Sequence, residues 1–147
     1  MDTGLCSAAL RLNLQDLNAT DITLINQGAM AEQVVGQLLR TLDPFYMEPA
    51  LYYWLREEKS SNAEIDYVIQ HGSKVIPVEV KAGSTGGLKS LHVLMELKKL
   101  SLAVRVNSDF PSKTYVDVKN HVGNAVRYEL LSIPFYVLSQ LSRLLNG

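Results

Sequence analysis

The stretch that most constrains this chain runs from Glu64 to Gly83, EIDYVIQHGSKVIPVEVKAG. Two runs rich in β-branched and aromatic residues flank a polar His71-Gly72 pair, which predicts a β-hairpin with a tight turn. On a strand, Glu79 and Lys81 share a face while Ile76, Val78 and Val80 point the other way. A two-residue turn at His71 and Gly72 places Asp66 opposite Pro77 and Glu64 opposite Glu79. Directly opposed residues share a face, so Glu64, Asp66, Glu79 and Lys81 converge, with Ile65, Tyr67 and Ile69 on the apolar side. A loop of odd length would break that parity.

Such a cluster has a chemical use. Two carboxylates about 4 Å apart repel by roughly 4 kcal/mol at an effective dielectric near 20, and a divalent cation between them removes the conflict. Carboxylate oxygens suit Mg²⁺ or Mn²⁺, and either ion lowers the pKa of a bound water and neutralises phosphate charge. A lysine two residues from a ligand then orients the attacking water or stabilises developing negative charge. The competing reading is a solvated sheet face with alternating charges.

Composition sets the frame. The 147 residues fit one domain with its own core. Apolar content of 47% and charged content of 20% are those of an ordinary globular chain. A net charge of −1 excludes an overtly basic nucleic-acid binder but leaves room for a local basic patch. A single cysteine, Cys6, allows no internal disulfide, and makes the cytoplasm the default compartment. No apolar run approaches the ~18 residues a membrane span needs.

The rest of the chain supplies the layers. Residues 2–12 predict a short helix, with a linker through Asn18 and Asp21, so that residues 1–25 form a lead-in. Met30, Val34, Val35, Leu38 and Leu39 recur at helical spacing and predict a long helix over Asn26–Thr41. Gly28 and Gly36 let it pack closely on a sheet, and Asp43-Pro44 ends it. Glu32 is an acidic residue beside this apolar stripe, ordinarily a solvent-facing glutamate near a helix N-terminus. Leu51–Leu55 predicts a strand dense in aromatics, expected to pack inward, with base stacking as the alternative. Gly83, Gly86 and Gly87 ahead of Lys89-Ser90 suggest a phosphate loop, but Leu88 separates Gly from Lys and the motif fails. Leu91, Leu94, Met95 and Leu97 predict the inner face of a helix over Leu88–Leu100, with Lys89, His92, Lys98 and Lys99 as a basic cluster. Leu102–Val106 predicts a buried parallel strand. Asn107–Asn124 is irregular in pattern, with Tyr115, Val116 and Val118 as a candidate edge strand and His121 in a loop. Val126–Ile133 predicts another strand, and Pro134 opens a closing helix through Leu145.

The order helix, three strands, helix, strand predicts an α/β sandwich with a central mixed sheet of about four to five strands flanked by helices. Asp66 followed by Glu79-Val80-Lys81 resembles the core signature of the PD-(D/E)XK, or restriction-endonuclease-like, nucleases. Further motifs recur in order: Asp2-Thr3-Gly4-Leu5, Gly28-Ala29-Met30-Ala31-Glu32, Tyr53-Trp54, Glu64-Ile65-Asp66, Pro77 to Gly83, Ser90-Leu91 and Ile133-Pro134. Together they resemble the uncharacterised C-terminal domain found behind the ATPase module of prokaryotic AAA+-type proteins, over essentially the whole of residues 1–147. The resemblance implies Asp66 and Glu79 as metal ligands, Lys81 as the group orienting the nucleophile, and Glu32 as a further acidic contributor from the preceding helix. It implies Mg²⁺ (or Mn²⁺) as cofactor, DNA as a candidate partner, and an N-terminal ATPase module in a longer protein, with no ATP bound by this chain. Two functions stand open: a metal-dependent nuclease acting on phosphodiesters, and a non-catalytic DNA- or protein-binding accessory domain of that ATPase.

Overall fold

The computed structural model describes residues 2–9, 22–58, 62–81, 87–120 and 123–146. Gly83, Gly86, His121 and most of the predicted 1–25 lead-in fall outside them. The elements are α1 (Thr3–Ala9), α2 (Ile22–Leu39), β1 (Tyr52–Arg56), β2 (Ala63–His71), β3 (Lys74–Val80), α3 (Lys89–Lys98), β4 (Leu102–Asn107), β5 (Ser112–Lys119), β6 (Ala125–Pro134), a 3₁₀ helix (Phe135–Gln140) and α4 (Leu141–Leu145). They build one mixed sheet in the order β1-β2-β3-β4-β6-β5. The β3–β4 and β4–β6 pairs are parallel, the others antiparallel. The chain is therefore α/β as expected, but the sheet has six strands rather than four to five. The sixth strand is β5, the candidate edge strand at Tyr115, Val116 and Val118, which does lie at the sheet edge with its residues nearly all exposed. Thr114, Val116 and Val118 alternate with Lys113, Tyr115, Asp117 and Lys119, but only Val116 is even partly buried.

Helices cover both faces of the sheet. On one, α2, the 3₁₀ helix and α4 enclose Val35, Leu39, Ile76, Val78, Val80, Val104, Val106, Ile133, Leu138 and Leu141. On the other, α3 packs Leu91, Leu94 and Met95 on Ile65, Ala103, Val126, Tyr128 and Leu130. Leu97, expected inward, is 52% exposed. Helix α3 ends at Lys98, with Lys99 in the left-handed conformation. The aromatic strand β1 also departs from expectation. It lies at the sheet edge, so Tyr52 and Tyr53 are exposed and Trp54 alone of the three packs toward the α3 core.

The hairpin turns at Gly72-Ser73, with His71 paired to Lys74, not at His71-Gly72. Gly72 takes φ 60°, which suits glycine at the first position of a two-residue turn. Val68, not Asp66, stands opposite Pro77, and Glu64 pairs with Leu55 of β1 rather than with Glu79. Moving a two-residue turn by one position shifts the register by two, so the parity of β3 against the outer half of β2 survives.

Candidate functional site: a fork between β2 and β3

Strand β2 carries a bulge where it leaves β3. On β1, Tyr52 pairs with Val68 and Trp54 with Ile65, so Asp66 and Tyr67 together face Tyr53. The extra residue reverses the alternation. Tyr67 and Ile69 pack toward α2, whereas Ile65 packs toward α3, correcting the expectation that all three share one face. The β2–β3 ladder stops at Tyr67 and Val78. In the same register Ile65 would face Val80. Instead the Val80 N–H donates to Asp66 Oδ2 at 2.7 Å, so a carboxylate takes the place of the missing carbonyl. Lys81 N–H donates to the Val106 carbonyl at 2.8 Å and stays tied to β4. The strands separate at a point where Asp66, Glu79 and Lys81 gather.

Glu79 is 5% exposed. Its flanking valines, Val78 and Val80, lie in the α2 core, so Glu79 projects onto the α3 face. Its Oε1 meets Lys81 Nζ at 2.6 Å, while its Oε2 is buried without a hydrogen-bond partner. Burial raises the Glu79 carboxyl above its usual range, the Lys81 hydrogen bond opposes this, and the charges of Asp66 and Glu32 add to the rise. Asp66 is raised by burial against the Val80 N–H and Lys81, with Glu64 adding to the rise. Glu32 is raised by burial, then by Asp66 and Glu64, with Lys81 opposing. The four expected residues, Glu32, Asp66, Glu79 and Lys81, thus share one electrostatic field, and Glu64 belongs to it.

Glu32 is placed by α2. Tyr67 Oη donates to the Glu32 carbonyl at 2.8 Å. This approach needs Gly36, since a Cβ there would lie 2.6 Å from the tyrosine oxygen. The predicted close packing at Gly36 is therefore a specific helix-to-strand contact.

A second polar group borders the fork on the α3 face. Arg105 pairs in register with Glu79 on one side and with Ser132 on the other. Tyr128 Oη and His92 Nδ1 are 3.1 Å apart. Burial lowers His92 and lifts Tyr128 to about 12, with Arg105 and Glu79 both acting on the phenol. His92 therefore belongs to this inner group and not to a basic face with Lys89, Lys98 and Lys99. Residue patterns alone did not assign Arg105 or His92, because their proximity arises from strand order.

Among the described residues no three His, Cys, Asp or Glu side chains stand in an arrangement that would hold a metal by themselves. No helix among them is long and apolar enough to cross a membrane. Residues 27–123 match the family model described as "Domain of unknown function (DUF4143)". No curated protein matches the chain.

Proposed function

The chain belongs to the DUF4143 family, domains commonly found C-terminal to AAA-type ATPases, and we propose that the β2–β3 fork is the divalent-cation site of a nuclease-type domain acting on nucleic-acid phosphodiesters. The observation that carries this reading is the Glu79 carboxylate, buried with one oxygen bound to Lys81 and the other unpartnered. A buried charged acceptor without a partner is strongly disfavoured, and a cation supplies what Oε2 lacks.

The donor set fits a hard ion. Glu79 and Asp66 offer carboxylate oxygens, and Mg²⁺ is commonly held by one or two carboxylates, with water and substrate phosphate completing its shell. Asp66 and Glu79 would hold Mg²⁺ or Mn²⁺, which would supply water activation and neutralisation of phosphate charge. Lys81, on the backbone segment tied to β4, holds its ammonium against Glu79 and provides positive charge where an attacking oxygen or a phosphorane develops negative charge. Glu32, whose carboxyl is raised by burial and by Asp66 and Glu64, adds a further acidic group from α2. The mixed sheet with helices on both faces supports a restriction-endonuclease-like arrangement, with Asp66 at the bulge of β2 and Glu79 near the end of the neighbouring β3.

Supercoiled-plasmid nicking in Mn²⁺ tests the reading. Wild-type protein nicks, while Asp66→Asn and Lys81→Met each lower the rate by about 100-fold or more, the scale of removing one preorganised charge-stabilising group. Equal nicking by all three overturns it.

A second reading, a binding module without catalysis, draws on a different observation. Phe45, Tyr46 and Met47, with Tyr52 and Tyr53 of edge strand β1, are all exposed. An aromatic edge of this kind suits a protein surface or stacked bases. Its signature is partner binding that is indifferent to Asp66→Asn.

A further inference from the structure

Two buried side-chain atoms among the described residues have no hydrogen-bond partner, Glu79 Oε2 and Arg105 Nε. Their residues are direct partners across the β3–β4 ladder. Val104 and Val106, flanking Arg105, lie in the α2 core with Val78 and Val80, so both side chains stand on the α3 face, one strand spacing apart. One orphan is an anionic acceptor and the other a cationic donor, yet they are not bonded to each other. Asp109 Oδ2 lies 3.6 Å from Arg105 Nη2, an ion pair too long for a hydrogen bond. Asp109 is itself occupied by the amide of the fully buried Asn107 at 2.8 Å.

A carboxylate oxygen left over from the Lys81 pair, beside a guanidinium nitrogen left over from the Asp109 pair, describes a two-part guest. A phosphate oxygen carried by a metal ion is such a guest: the ion satisfies Glu79 and the phosphate satisfies the guanidinium, whose fork of donors matches phosphate geometry. We infer that Arg105 is a substrate-binding residue that takes a phosphate oxygen of the nucleic acid beside the cation at Glu79. This rests on the cation-site reading for its placement, but Arg105 can be tested without metal. Tyr128 and His92 line the inner side of the same group and bring no carboxylate to compete for it.

The test is fluorescence anisotropy of a labelled DNA oligonucleotide with the 147-residue chain, in EDTA and in Ca²⁺, across a salt series. It is paired with calorimetry of Mn²⁺ alone. Arg105→Gln weakens DNA binding about tenfold in both buffers and reduces the salt slope by about one, while Mn²⁺ affinity stays within about twofold of wild type. Asp66→Asn does the reverse, losing Mn²⁺ while keeping its DNA affinity in EDTA. Arg105→Lys retains the salt slope but not the full affinity, because a point charge replaces a fork; if Arg105→Gln fails to fold, this variant decides. DNA affinity unchanged by the substitution, or no DNA binding by wild type in either buffer, overturns the role of Arg105. Loss of Mn²⁺ binding together with DNA binding in Arg105→Gln also overturns it, as a structural effect. Absence of Mn²⁺ binding by wild type instead counts against the cation site alone.

Discussion

Glu79 is a carboxylate that the fold places where its charge is least welcome. Its pKa rises because burial outweighs the Lys81 contact, and Asp66 and Glu32 add to the rise. A carboxyl raised on folding binds its proton more tightly in the folded than in the unfolded chain. The stability it contributes is full below its ordinary 4.5 and is lost as pH rises through the folded value. Glu79→Gln keeps the shape and removes the charge. In metal-free buffer, the melting temperature of Glu79→Gln relative to wild type should increase as pH rises from about 4 through the raised carboxyl range, then level off. A difference that shrinks with pH would show that the Lys81 pair outweighs burial. That Asp66, Glu79 and Lys81 lie within one another's field was readable beforehand, although the expected pairing of Glu64 with Glu79 does not form. Asp66, Glu79 and Lys81 stood out because an acid-acid-lysine set on paired strands has a chemical use. The orphan oxygen was not readable, since it depends on what covers the α3 face.

At the scale of elements, the bulge at Asp66-Tyr67 decides the geometry. It ends the β2–β3 ladder, releases the Val80 N–H to the Asp66 carboxylate, and turns Tyr67 toward α2. Period-two reasoning captured the β3 face, with Ile76, Val78 and Val80 buried as expected. It failed for Ile65, because one inserted residue reverses every side chain beyond it and nothing in the composition of Asp66-Tyr67 announces an insertion. Strand β5 was legible only as a candidate edge strand at Tyr115, Val116 and Val118, because its exposed side chains mark its position but not its ends. Gly36, by contrast, was legible as a close-packing position, and its partner is Tyr67. Gly36→Ala gains about 1 kcal/mol of helix propensity but drives a methyl into the tyrosine, an overpacking cost of about 1–3 kcal/mol. Urea unfolding should show a net loss of about 1 kcal/mol, reduced in a Tyr67→Phe background because the nearest clashing atom is gone. An equal penalty in both backgrounds would mean that the contact does not set the helix position.

Across the whole molecule, the six-stranded sheet is covered on both faces, and Asp66, Glu79 and Lys81 collect where β2 and β3 separate. The helices serve this fork from both sides: α2 brings Glu32 by way of Tyr67, and α3 brings His92 against Tyr128 near Glu79 and Arg105. Ordered motifs along the chain indicated the family, and the helical and strand periods indicated the layers. The juxtaposition of Glu79 with Arg105 came only with the strand order. The central claim, a cation site at the fork, is tested most directly by isothermal calorimetry of Mn²⁺ against wild-type protein and Asp66→Asn, which keeps an oxygen for the Val80 N–H while removing the charge. Wild type should bind Mn²⁺ saturably at or below millimolar concentration and the variant at least about tenfold more weakly, since metal affinity rests on ligand charge. No binding by wild type at millimolar Mn²⁺, or identical binding by both proteins, would contradict it.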